Sequence, residues 1–302
     1  MIALLAPGQG SQTEGMLLSW LELPGAADQL ALWSKASGLD LVRLGTTAST
    51  EEITDTAVAQ PLIVAATLLA HQELIGRGLL TGGDLVVAGH SVGEIAAYAI
   101  AGVMSGDDAV SLAATRGAEM AKACASEPTG MSAVLGGDEA EVLARLEQLD
   151  LFPANRNAAG QIVAAGALTA LEKLAEDPPA KARVRALGVA GAFHTRYMAS
   201  ALDGYAAAAA AIATSEPTAT LLSNYDGKPV RTAAEAMETL VAQLTQPVRW
   251  DLCTQTLREY DVQAIVEFPP AGTLTGIAKR ELRGVTARAV KSPADLDALT
   301  EL

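Results

Sequence analysis

A serine held in a turn between a strand and a helix can act as a nucleophile, and Ser91 in the run AGHSVGE is placed in that way. Residues 85–88 form a short apolar run suited to a buried parallel strand, and residues 95–103 continue in helix-forming types. Gly89 and Gly93 flank Ser91 at the G-x-S-x-G spacing, where missing side chains let the backbone turn sharply and bring strand and helix together. The hydroxyl then points outward, and the backbone N–H groups of the first helical turn stay free to hold an oxyanion. The same residues also read as a helix cap, since Ser91 followed by Glu94 three residues on matches the capping-box pattern. The two readings are compatible.

A serine hydroxyl attacks only when a base takes its proton. His90 adjoins Ser91, but neighbours along a turn point in different directions, which assigns it to local packing or hydrogen bonding. His71 falls in an apolar helical stretch and reads as a core or surface residue. His194 stands in VAGAFHT, a loop-like stretch ahead of a helix, where catalytic groups are commonly mounted. The run APGQGSQ directly follows the first strand, and Pro7, Gly8 and Gly10 make a tight turn at the sheet edge where open α/β folds bind ligands. It matches neither G-x-G-x-x-G nor the P-loop lysine pattern, so the Gln9 backbone N–H aimed at the site is its better use. Arg116, in AATRGAEM, has two readings. One is a surface pair with Glu119 at i,i+3; the other, suggested by Gly117 and the alanines around it, is a guanidinium on a closely packed helix that receives a carboxylate.

The elements that must carry these groups follow from periodicity. A strand is expected at residues 2–6, helices around 26–37 and 58–74, the strand at 85–88, the nucleophile helix, and a helix over 107–123. The rhythm then changes. Apolar runs at 131–135, 151–154, 162–165 and 184–187 alternate with amphipathic stretches at 138–149 and 168–176, a β-α-β-β-α-β order typical of a ferredoxin-like unit. Past Gly188 the larger pattern resumes, with a helix over 198–214 that includes six successive alanines and a strand at 219–223. Helices near 233–244 and 252–260, a strand at 262–268 and a final helix, strand and helix complete it. The expected fold class is α/β: a large domain of residues 1–126 and 189–302, interrupted by a small one of residues 127–188.

Composition narrows the function. Half of the 302 residues are hydrophobic and the net charge is −14, with no basic stripe, which argues against nucleic acid. Residues 1–34 hold no Lys or Arg, so the positive opening of a secretory signal is missing, and no apolar run reads as a membrane span. A cytoplasmic protein is expected. Cys124 and Cys253 are the only cysteines and read as plain buried thiols, and without an H-x-x-x-H pair no metal site is expected.

Taken together and in order, APGQGSQ, AGHSVGE, TRGAEM, NRNAAGQIVAAG, GAFHT and QLTQPVRW resemble the malonyl-CoA:acyl carrier protein transacylases over nearly the whole chain. The resemblance implies an α/β-hydrolase-like core with an inserted ferredoxin-like small subdomain, and ping-pong transfer of malonyl from malonyl-CoA to a carrier protein. By that resemblance Ser91 is acylated, His194 is its base, Gln9 and Val92 supply oxyanion-hole N–H groups, and the backbone carbonyl of Gln243 orients His194. Arg116 binds the malonyl carboxylate, Asn155 and Asn157 line the site, and Phe193 crowds an α-methyl group. No cofactor is expected beyond the phosphopantetheine that the carrier brings, and the family default is a monomer. Acyl carrier proteins are acidic and so is this chain, so docking needs a local basic surface, for which Lys181, Arg183, Arg185, Arg196, Lys279, Arg280 and Arg283 are candidates.

The rival reading is a serine hydrolase, since Asp107, Asp108, Asp138, Asp150 and Asp177 all lie between Ser91 and His194 and suit a Ser…Asp…His order. Against it, more than a hundred residues of α/β pattern follow His194, and Arg116 and the PGQG loop would have no use. A non-catalytic carrier-binding scaffold would show a broken nucleophile or base, and neither is broken.

Overall fold

The computed structural model describes residues 1–80 and 84–302. Ten strands run through them: β1 (Ile2–Ala6), β2 (Leu85–Gly89), β3 (Thr129–Gly136), β4 (Phe152–Ala158), β5 (Gln161–Ala167), β6 (Ala182–Ala186), β7 (Thr220–Leu222), β8 (Pro229–Val230), β9 (Ala264–Glu267) and β10 (Thr286–Ala289). Apolar strands covered on both faces suit parallel pairing, and β1, β2 and β9 are of that kind. They lie inside a six-stranded sheet of order β10-β9-β1-β2-β7-β8, parallel except for the short edge strand β8. In its centre Leu4 of β1 faces Val87 of β2 on one side and Val266 of β9 on the other. The carboxyl ends of β1 and β2 are therefore adjacent, which brings the loop after Ala6 beside the turn after Gly89.

The other four strands form an antiparallel sheet of order β4-β5-β3-β6. Helices Glu139–Gln148 and Leu168–Glu176 back it, burying Val142, Leu146, Leu171 and Leu174 against Val134 and Ile162. This is the ferredoxin-like order expected from the sequence rhythm. The small sheet is tied to the segment ahead of helix Trp250–Glu259 at Val248, whose N–H donates to the Ala154 carbonyl and whose carbonyl accepts from the Arg156 N–H. That parallel bridge, Asn155 opposite Val248, pins β4 to the large sheet's side of the molecule.

Several expectations need correction. The helix expected over 198–214 is a 3-10 turn, Arg196–Ala201, followed by a helix Leu202–Ala210 that ends at the last alanines. Beyond it the Ser215 and Thr218 N–H groups bond the Val103 and Ala101 carbonyls, so tertiary pairing overrides alanine's helix propensity. The strand expected from residue 262 begins at Ala264, because the Val262 N–H closes the preceding helix on Leu257. Short helices at Leu41–Thr46 and Thr50–Thr54 went unread; both start at side-chain caps, Asp40 and Ser49. The helix Thr56–Gly76, read as too short for a membrane, has 21 residues and enough apolar character to span one by length and composition. Yet 72% of its most apolar window is buried in this fold. It packs against helix Gly106–Cys124, where a Cβ on Gly117 would sit 2.7 Å from the Thr56 carbonyl oxygen, so only glycine permits that approach.

Candidate active site

The turn at Ser91 is built by exclusion of side chains. A Cβ on Gly89 would lie 2.1 Å from the Gly93 carbonyl carbon, and one on Gly93 would lie 2.3 Å from the Ala6 carbonyl oxygen. Glycine at both positions lets the elbow fold flat against β1. Ser91 itself has φ of 54°, a strained value for a residue with a side chain. Asn224 clamps the strained turn from both ends: its Oδ1 accepts the Ser91 N–H at 2.8 Å, and its Nδ2 donates to the Gly89 carbonyl at 2.7 Å. The capping box is not formed. Val92 caps helix Gly93–Ile100 without a side-chain bond, and Glu94 turns inward to Asn224 and Gln243.

Ser91 Oγ lies 2.7 Å from His194 Nε2, and His194 Nδ1 lies 2.8 Å from the Gln243 backbone carbonyl. A carbonyl only accepts, so Nδ1 carries the proton and Nε2 presents a lone pair to the serine hydroxyl. This arrangement is a base held in the correct tautomer without an acidic partner. The five aspartates of the hydrolase reading are all engaged elsewhere: Asp107 with Trp33, Asp108 and Asp138 at helix caps, Asp150 with Arg196 and Asp177 with Arg145. His194 is buried, and burial together with the nearby Arg116 charge pushes its pKa down to about 3. The imidazole is therefore neutral, and ready to take a proton, through the whole physiological range.

Arg116 does not pair with Glu119, which binds Lys122 instead. It is 1% exposed and runs inward, with Nη1 donating to Gln60 Oε1 and Nη2 to Gln243 Oε1, each at 2.7 Å, and Nη2 lying 3.4 Å from Ser91 Oγ. Among the described residues no carboxylate pairs with it, and its Nε has no partner. A buried guanidinium bonded to two amides and a serine hydroxyl, with no carboxylate among the described residues paired to it, is a ready receptor for an anion. The cavity beside it, about 260 Å³, is lined by Gln9, Ser91, Val92, Arg116, Phe193 and His194, and across from them by Asn155 and Asn157 of β4. Among the described residues neither the Gln9 nor the Val92 backbone N–H has a hydrogen-bond partner. His90, expected to pack or to bond locally, packs its ring against Trp250, and its Nε2 meets Asn157 Oδ1 at 2.9 Å, a distant partner that links the nucleophile turn to the small sheet.

The chain's residues 4–294 match the acyl transferase domain model. The malonyl CoA-acyl carrier protein transacylase of Mycobacterium tuberculosis is 84% identical over 302 residues, covering 100% of both chains. The chain belongs to the malonyl CoA-acyl carrier protein transacylase family. A crystal structure of the M. tuberculosis transacylase superimposes with a TM-score of 0.98 at 85% identity over 99% of each chain. A malonyl-transacylase solved in complex with a type II polyketide synthase acyl carrier protein does so with a TM-score of 0.93 at 30% identity, again over 99% of each. The α/β class with its separate small antiparallel sheet is thus the transacylase fold, and the chain is an acyltransferase.

Three residues of this transacylase site escaped the sequence reading: Gln60, Glu94 and Asn224. Gln60 had a signal, being the lone amide within the apolar stretch AVAQPLIVAA. Glu94 reads from its spacing as a cap, and Asn224, in SNYDG, looks like an ordinary turn former.

Proposed function

We propose that the enzyme moves the malonyl group from malonyl-CoA to the phosphopantetheine thiol of an acyl carrier protein through a malonyl ester on Ser91. One observation carries the reading: the Ser91 hydroxyl sits 2.7 Å from a neutral imidazole and 3.4 Å from a buried cation that no carboxylate neutralises among the described residues. His194 Nε2 takes the hydroxyl proton as Ser91 Oγ attacks the thioester carbonyl. The Gln9 and Val92 N–H groups hold the oxyanion that forms. Collapse expels the CoA thiol, which leaves with the proton from His194. The carrier thiol then gives its proton to His194 and attacks the ester, and Ser91 regains a proton as it departs.

Arg116 receives the malonyl carboxylate. A hydrogen bond to a charged group is worth on the order of 1.5–3 kcal/mol, which is roughly ten- to hundredfold in preference for malonyl over acetyl. The Phe193 ring, 6% exposed on the cavity wall, crowds the α-carbon and disfavours methylmalonyl. Asn157 steadies the nucleophile turn through His90, and Asn155 fills the wall beside it. Thioester to ester to thioester is a sequence of acyl compounds close in energy, so the site needs no resident cofactor or metal.

This reading places the enzyme in the cytoplasm as a monomer that serves fatty-acid or polyketide chain extension. It divides the chain into a large unit, residues 1–126 and 189–302, and a small one, residues 127–188, with the cavity between them. Of the basic residues considered for docking the acidic carrier, Arg196 pairs with Asp150 and Arg280 bonds Gln161. Lys181, Arg183, Arg185, Lys279 and Arg283 are exposed, and these are the better docking candidates. Mass spectrometry of the intact protein mixed with malonyl-CoA, then with carrier protein, tests the function: a malonyl adduct on Ser91 must form and then move to the carrier. Release of free malonate at the same rate without carrier would make the enzyme a hydrolase instead.

A further inference from the structure

The Gln243 side chain stands at a junction. Its Oε1 accepts from Arg116, and its Nε2 donates to the Ser91 carbonyl and to Asn224 Oδ1, each at 3.2 Å. A guanidinium only donates, so this amide has a single usable orientation. Nε2 also donates to Glu94 Oε2, and Glu94 Oε1 accepts the Asn224 backbone N–H. Glu94 is completely buried and does not line the cavity. Burial pushes its carboxyl pKa up, while the N–H donors on both oxygens and the Arg116 charge oppose that by favouring the carboxylate, so the charge is kept in place at a cost.

We propose that Glu94 is a positioning residue which, through the Gln243 amide, aims the Arg116 guanidinium at the acyl group and, through Asn224, holds the nucleophile turn. The inference rests on Arg116 being the receptor of the substrate carboxylate. The indirect link has a physical reason. A carboxylate set directly on Arg116 would neutralise the charge and occupy the donors that the substrate needs; an amide between them transmits orientation and leaves the cation open.

The carboxylate is also specific for the task, since in its ionised form it accepts on both oxygens, whereas a carboxamide accepts on one. In Glu94→Gln the Asn224 N–H, fixed in the backbone, takes that one oxygen. The amide NH2 then faces Gln243, whose side chain must turn and set its own NH2 against Arg116.

The test times Ser91 acylation by intact-mass spectrometry with malonyl-CoA and acetyl-CoA in the wild type, Glu94→Gln, Gln243→Met and Arg116→Ala. Glu94→Gln is expected to lower the malonyl-to-acetyl ratio by about tenfold or more. Gln243→Met, which keeps the backbone carbonyl for His194 but cuts the side-chain link, is expected to do likewise, and an unchanged ratio there overturns the proposal even if Glu94→Gln fails to fold. Equal losses with both substrates, leaving the ratio unchanged in a folded variant, would overturn the proposal by reducing Glu94 to a structural residue. An unchanged ratio in Arg116→Ala is a separate failure, which would remove the reading of Arg116 and this inference with it.

Discussion

The two walls of the cavity are built on opposite principles. On the large-sheet side Gln60 and Arg116 line the cavity with Glu94, Asn224 and Gln243 behind them, all at most 3% exposed and hydrogen-bonded to one another, so each polar group is fixed by a neighbour that is itself fixed. On the small-sheet side the lining is mostly apolar, with Met131, Val163 and Leu187, and the amides of Asn155, Asn157 and Gln161 are spaced along it. The groups proposed to react thus stand on the rigid wall, while the facing wall mainly shapes the space. Low dielectric strengthens the charge interactions of the first wall only because the second closes over them.

Substitutions can break or sharpen this contrast. Ser91→Ala, at the rigid wall, is expected to abolish the covalent malonyl adduct, read by intact mass. Arg116→Ala should lower malonyl acylation roughly ten- to hundredfold more than acetyl acylation, as the loss of a charged hydrogen bond requires; equal loss would remove Arg116 from substrate recognition. Phe193→Ser should raise the relative rate with methylmalonyl-CoA by roughly tenfold, since one methyl is worth about 1–3 kcal/mol. Asn157→Ala, on the facing wall, cuts the bond to His90 and should cost about 1 kcal/mol, or roughly fivefold in kcat/KM, with malonyl and acetyl alike. A malonyl-specific loss there would show that the small sheet also reads the substrate.

The smallest effect concerns acid. His194 is held neutral down to about 3, so its protonation should not slow acylation between pH 8 and 5, as an ordinary histidine would. The sign follows from burial and Arg116 both disfavouring the imidazolium; Arg116→Ala removes one of them and should move the acid limb to higher pH. Stability carries the same sign. A histidine with a depressed folded pKa contributes fully above its unfolded value of about 6.5, and the contribution drains as pH falls toward 3.

Much of this was legible in the residues. Gly89, Ser91 and Gly93 specify the elbow because only their side-chain pattern permits a sharp turn, and β1 and β2 announce themselves as apolar runs. The ferredoxin-like insert shows in the switch between periods of two and 3.6. The order of small-sheet strands needed no more than that rhythm. What stayed hidden was the network of amides. A glutamine at position 60 or an asparagine at 224 offers donors and acceptors whose partners lie 56 and 133 residues away, and nothing local names them. Glu94 misled for a related reason: its spacing from Ser91 suits a cap, and only burial against Asn224 and Gln243 reveals the stronger competitor for its oxygens.

Because β1 lies between β2 and β9, it waits during synthesis for a strand that follows nearly all of the others described. A polypeptide halted before residue 264 would carry β1 with one bare edge, and the loop of residues 7–10 would hang from an unfinished support. Incomplete translation products of this chain should therefore be sticky and protease-sensitive rather than partially competent. Limited proteolysis of a chain stopped at residue 260 would show it, and trimming from the carboxyl end is a poor route to a smaller catalyst.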